Sequence, residues 1–114
     1  MKVRVILAIL LLFCFVSSLS IAMQNHGDKE IKIDGGKKGA ITFPHHLHQD
    51  TIGDCNVCHS IFPKKKGAIK NSIAAKMLKK KQVMTKTCLK CHRANKKAGK
   101  NHGPTKCSAC HVKE

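Results

Sequence analysis

Read as apolar and polar positions, the chain opens with an unbroken apolar run, Val5 to Val16, behind a short basic start, Met1 to Arg4. Small and polar residues follow from Ser17 and end in Ser20-Ile21-Ala22, with small side chains at both key positions. This order predicts a secretory signal peptide over 1–22, removed just before Met23. The run is shorter than the about 20 residues a membrane-spanning helix needs, and nothing later in the chain is apolar enough to span a bilayer. Cys14 follows Phe13, a large ring where a lipoprotein site would carry a small residue, so lipidation is not expected.

Beyond the leader, Ile31-Lys32-Ile33 and Ile41-Thr42-Phe43 alternate apolar with polar on either side of Asp34-Gly35-Gly36-Lys37-Lys38-Gly39. Alternation around a turn rich in Gly and Asp predicts a two-stranded hairpin. Farther on, Asn71 to Lys79 reads as a helix capped at Asn71 or Ser72, with Ile73, Met77 and Met84 spaced to share one face. The lysine clusters Lys64–Lys66 and Lys79–Lys81 flank it. The expected fold is a small, mostly irregular domain over 23–114, with a few short α-helices and an N-terminal hairpin.

Composition changes the picture. Of the 92 residues from Met23 onward, 15 are Leu, Ile, Val or Phe, and none is Trp or Tyr. A chain so poor in large apolar side chains and so charged does not build a core from side chains alone. Either it stays disordered or another group supplies the buried apolar mass.

The cysteines decide between the two. Six of them form three pairs of one spacing: Cys55-Asn56-Val57-Cys58-His59, Cys88-Leu89-Lys90-Cys91-His92 and Cys107-Ser108-Ala109-Cys110-His111. Each is C-x-x-C-H, the attachment signature of c-type haem, in which two thiols bond one edge of the porphyrin and the next residue ligates the iron. Structural zinc combines C-x-x-C pairs two at a time, leaves one pair over here, and has no need of a His after the second Cys. Three disulfides are permitted in an exported protein, but adjacent C-x-x-C pairs rarely form its framework. Three covalent haems are therefore expected, on Cys55, Cys58, Cys88, Cys91, Cys107 and Cys110, with His59, His92 and His111 as proximal ligands. A second axial ligand is needed for each iron. His45 and His48, three apart, project from neighbouring points on one helical turn and can reach two different irons. The bland alternative is an exposed histidine cluster or a chance metal-binding pair.

Phe43-Pro44-His45-x-x-His48, three C-x-x-C-H motifs and the approach Gly103-Pro104-Thr105-Lys106-Cys107 resemble the class III multihaem cytochromes c, in particular the trihaem cytochrome c7 branch related to cytochrome c3. The resemblance covers about Glu30 to Val112. It implies that His45 pairs with His59 on the first haem and His48 with His92 on the second, and that an N-terminal hairpin is present. The family's His four residues before the second motif is replaced here by Met84, and no His occurs between Ser60 and Thr87. Thioether sulfur is the other common neutral axial donor. Met84 is therefore the expected partner of His111 on the third haem, with Met77, His102 or an open position as the competing readings. His26, His46 and His102 are expected to be exposed and without a redox role.

Charge adds one constraint. From Met23 onward, 20 Lys and Arg face 6 Asp and Glu, a formal charge of +14. Six haem propionates would lower this to about +8, still strongly basic. Such a field favours fast, salt-sensitive docking to acidic redox proteins, including other cytochromes and outer-membrane electron conduits. Nucleic acid is not expected as a partner, because the chain is exported and lacks stacking aromatics. Membrane contact is at most peripheral, and solubilising a haem-rich surface is the plainer use of the lysines. The resemblance implies an electron carrier of the periplasm, not an enzyme, shuttling between inner-membrane donors and terminal acceptors, among them metal ions or sulfur species. The alternatives are a multihaem reductase with one open haem site and a basic module held by zinc.

Overall fold

A computed structural model describes residues 25–113. The expected leader and its cleavage point lie outside the described residues.

The hairpin forms where the alternation places it. β1 (Glu30–Ile33) pairs antiparallel with β2 (Ile41–Pro44), in the register Ile31 to Phe43 and Ile33 to Ile41. Four apolar side chains thus share one face of the ribbon. A 3-10 turn, Gly36–Lys38, and the Asp34 carboxylate, which accepts the Gly36 N–H at 2.7 Å, make the reversal. β2 runs directly into α1 (His45–Ile52), and Pro44, which has no N–H to lose, stands at the junction. Gly53, at φ 74°, ends α1 by returning its N–H to Gln49.

α2 (Asn56–His59), α5 (Leu89–Lys97) and α6 (Cys107–Cys110) carry the three motifs. Between the first two motifs lie α3 (Ala68–Ala74) and α4 (Lys80–Val83). Here the structure corrects the helix expected over Asn71 to Lys79. α3 begins at Ala68, after Gly67 at φ 73°, and stops at Ala74. Its end is closed by two backbone bonds of 3.0 Å, Met77 N–H to the Ser72 carbonyl and Lys76 N–H to Ile73, with Lys76 at φ 58°. This is the left-handed closure that usually takes Gly, built here on Lys. Met77 therefore lies beyond the helix, 75% exposed, and shares no helical face with Ile73 and Met84.

α4 leads without a break through a π-helical turn, Met84–Cys88, into α5. Its start is held by Gln82, whose side-chain oxygen accepts the Lys79 N–H at 2.9 Å. The third motif is tied back to the hairpin by an antiparallel bridge between Ala40 and Val112. Gly39, at φ 96°, is needed twice at this contact, because a Cβ there would also strike the Val112 carbonyl.

The protein interior is thin. Among the described residues the buried apolar side chains are Ala68, Leu78 and Val83, and no side chain is fully buried. That matches a composition unable to form a core by itself. No helix among the described residues is long and apolar enough to cross a membrane.

Candidate haem sites

Each motif occupies one helical turn, which puts its two cysteines, three residues apart, on the same side. In the first, the Asp54 carboxylate accepts the Asn56 N–H at 2.9 Å and holds the turn that presents Cys55 and Cys58. In the second, Cys88 closes the π-turn and Cys91 follows in α5, while the Thr87 hydroxyl donates to the Val83 carbonyl. No disulfide joins any of the six cysteines of the described residues. Burial pushes the Cys58 thiol up from its ordinary value, with Cys88 and Cys91 adding to the effect. Burial likewise raises Cys110, with Cys88 and Cys107 adding. Cys88 thus lies within electrostatic range of Cys58 and of Cys110.

The histidines are oriented by backbone. A carbonyl oxygen can only accept, so each ring nitrogen facing one must carry the hydrogen. His59 Nδ1 donates to Phe62 at 2.8 Å, His92 Nδ1 to Pro104 at 2.7 Å and His111 Nδ1 to Gly39 at 3.2 Å. His45 Nδ1 donates to Asp28 at 3.1 Å and His48 Nδ1 to Pro44 at 2.9 Å. In all five the Nε2 lone pair is the one available to ligate a metal, the arrangement that fixes tautomer and ring direction in metal sites; at His45 it accepts the Gln49 side-chain N–H at 3.4 Å, a long bond that ligation of iron would displace. His46 is the opposite case. Its Nε2 donates to Gly27 at 2.9 Å, and the ring is half-buried, which corrects the expectation of an exposed side chain. His26 and His102 are exposed, and His102 Nδ1 turns to the Gly103 carbonyl at 2.7 Å.

Two pairs of these rings lie close to one another. His45 and His59 have centroids 6.2 Å apart with planes at 83°. His48 and His92 have centroids 6.1 Å apart with planes at 31°. A metal about 2.0 Å from each of two opposed nitrogens puts imidazole centroids about 6.3 Å apart, so both spacings fit one iron between the rings. The neighbouring His45 and His46 rings have the same 6.2 Å spacing, but His46 commits its Nε2 to Gly27, so spacing and carbonyl-held Nδ1 together single out the two pairs. Phe43 packs on His48, centroids 4.3 Å apart, and fixes that ring further. Gly103 is required beside His92, since a Cβ there would overlap the Cε1 and Nε2 atoms. At Gly35 a Cβ would come within 2.7 Å of His111 Nδ1.

His111 has no imaging partner of this kind among the described aromatic pairs; Met84 is half-buried at the first residue of the π-turn, while Met77 is exposed. Among the described residues no group of three or more His, Cys, Asp or Glu is placed to hold a metal ion.

Sequence reasoning missed one part of the site. The backbone of residues 26–29 folds over α1 as a strap. Gln49 clamps it, accepting the His26 N–H at 3.1 Å and donating to the His26 carbonyl at 2.8 Å. The His46 N–H donates to Lys29 at 3.2 Å. The strap supplies the Asp28 carbonyl that orients His45. Nothing in the spacing of residues signals these backbone contacts.

The family model for cytochrome c7 and related cytochrome c matches residues 41–112. A cytochrome c7 of Geobacter metallireducens is 35% identical over 108 residues, covering 95% of this chain and 97% of its own. A cytochrome c3 of Desulfuromonas acetoxidans is 38% identical over 77 residues, 68% of this chain and 88% of its own. Among solved structures, the triheme cytochrome PpcA of Geobacter sulfurreducens is similar with a TM-score of 0.54 at 33% identity, covering 75% of this chain and all of that one. PpcC, a cytochrome c7 of the same organism, has a TM-score of 0.54 at 30% identity over 76% of this chain. With three haem-attachment turns and this match over most of its length, the chain belongs to the cytochrome c7 family and is a multihaem c-type cytochrome.

Proposed function

We propose that the mature chain, residues 23–114, is a periplasmic electron carrier whose three haems are held by Cys55 and Cys58, Cys88 and Cys91, and Cys107 and Cys110. Bound haem supplies reversible one-electron exchange at iron. The work of the polypeptide is to hold, orient and shield. His45 and His59 ligate the first iron, His48 and His92 the second, and His111 and Met84 the third. The observation that carries the reading is the pair of ring spacings, 6.2 Å and 6.1 Å, each with both Nε2 atoms left unprotonated by carbonyl contacts on Nδ1.

The support for Met84 is positional. It stands four residues before Cys88, half-buried, where the backbone widens into a π-turn, a feature frequent at functional sites. Met77, at 75% exposure, is poorly placed to reach a shielded iron. With two protein ligands on every iron no position is left for substrate, which favours electron transfer over reduction of a bound molecule.

Charge favours docking to acidic redox proteins. Five of the six acidic residues fall within 28–54, and residues 55–113 contain none against 16 Lys and Arg. The carrier would receive electrons from an inner-membrane donor and deliver them to outer-membrane conduits, with metal ions or sulfur species as further acceptors.

The test is a potentiometric titration of the purified holoprotein with carbon monoxide added to the reduced form. Three reversible one-electron steps and no carbon monoxide adduct are expected. Rapid adduct formation at one haem in three would replace this reading with an open, substrate-binding site.

A further inference from the structure

The connection between α3 and α4 is a feature that haem binding does not explain. Lys76 occupies the left-handed position closing α3, where Gly carries no steric penalty, and adopts φ 58°. A bulky residue in that conformation is strained, and such strain persists where a side chain is needed. Met77 follows at 75% exposure, the most exposed large apolar side chain among the described residues. Lys76, Lys79, Lys80 and Lys81 are exposed as well, so four lysines lie within four residues of Met77. No acidic residue lies anywhere in 55–113 to neutralise them.

The tip is held rigidly. The Met77 and Leu78 N–H groups both donate to the Ser72 carbonyl, at 3.0 and 3.2 Å, and Leu78 turns inward to 7% exposure. Beyond it, Gln82 fixes the start of α4 at Lys79. From Lys80 to Met84 the helix rises only about 6 Å, so whatever seats on the tip lies close to the proposed third haem ligand.

We propose that the Lys76–Met77 tip is the docking point for an acidic protein surface that offers a shallow apolar pocket to Met77. This rests on the electron-carrier reading and names the surface and partner class it uses. Protein interfaces concentrate their energy in a central apolar anchor with a polar rim, and the tip has that plan: Met77 at the centre, lysines at the edge. A lipid surface is the less suitable occupant. Interfacial helices insert a row of apolar residues, whereas here the next apolar side chain, Leu78, is buried. Nucleic acid would need stacking aromatics, and the whole segment from Lys64 to Lys113 has no Phe, Tyr or Trp.

The test uses the full mature holoprotein, its haem absorbance recorded first, titrated by nuclear magnetic resonance with two synthetic peptides. One has six Glu flanking a central Leu-Leu, the other the same Glu around Ser-Ser. The Leu-Leu peptide is expected to bind more tightly and to shift the amides of residues 76–81 most. Met77→Ser should weaken the Leu-Leu peptide about fivefold and leave the Ser-Ser peptide unchanged. Lys76→Gly should weaken both about threefold while raising the thermal unfolding midpoint, because glycine relieves the left-handed backbone. Equal affinity for the two peptides, or shifts spread over all lysines and insensitive to both variants, would overturn the proposal. Tighter, variant-sensitive binding to phosphatidylglycerol vesicles than to the Leu-Leu peptide would assign the tip to lipid instead. Failure of the electron-carrier reading is seen separately, as rapid carbon monoxide binding to one haem of the reduced protein before any peptide is added.

Discussion

The imidazole of His59 stands at 83° to that of His45 across a 6.2 Å gap, nearly perpendicular. The corresponding angle between His48 and His92 is 31°. Each ring is fixed by its own backbone carbonyl, so the two angles are properties of the fold.

The difference in angle should be visible in the ferric protein. Perpendicular ligand planes leave the two iron orbitals that interact with them nearly equal in energy, whereas tilted but closer planes split them. Frozen-solution electron paramagnetic resonance is expected to show one strongly anisotropic low-spin signal for the His45–His59 haem and a more rhombic one for the His48–His92 haem. Two rhombic signals from these haems would show that the ring angles are not kept.

The strap over α1 should tune the first haem. Gln49→Ala removes both bonds to the His26 backbone and loosens the Asp28 carbonyl from His45. A weaker acceptor on Nδ1 makes the imidazole a poorer donor to iron, so the first potential should rise and the other two stay. The stability cost should be about 1 kcal/mol, since the clamp is exposed. Potentials assigned haem by haem in the variant check this, and an unchanged first potential would leave the strap a structural detail.

Met84 is testable at the third haem. Thioether favours ferrous iron more than imidazole does, so Met84→His should lower one potential, by on the order of 0.1 V, and leave two nearly unchanged. Met84→Ala should open a site for carbon monoxide in the reduced protein. If neither variant alters the third haem, His102, whose Nε2 is also left unprotonated, becomes the next residue to replace.

Loss of one haem should unfold the chain. With Ala68, Leu78 and Val83 as the buried apolar side chains among the described residues, the polypeptide has little core of its own. Cys88→Ala with Cys91→Ala removes one of the three haem attachments, and no folded protein should accumulate. A stable two-haem product with native-like circular dichroism would contradict this.

How much could be read in advance follows from the range of the interactions. The hairpin is local, and the alternation of Ile31, Ile33, Ile41 and Phe43 specifies it. The three motifs are local too, since one turn of helix carries all the chemistry of each. The end of α3 was misplaced because its closure uses Lys76 where a sequence signal would be Gly, so the apolar spacing of Met77 suggested helix that the backbone does not form. The widening into a π-turn at Met84–Cys88 has no residue signature at all. Gln49 and the 26–29 strap depend on contacts 23 residues apart along the chain, which no local pattern encodes. The half-buried state of His46 has the same origin, a carbonyl 19 residues away.

The most direct measurement is the intact mass of the mature protein purified after export. A polypeptide beginning at Met23 and carrying three haem increments is the expected result, and it would report the cleavage point and the cofactor number together. A mass equal to the bare polypeptide, or to the polypeptide with bound zinc, would contradict the assignment of three covalent haems.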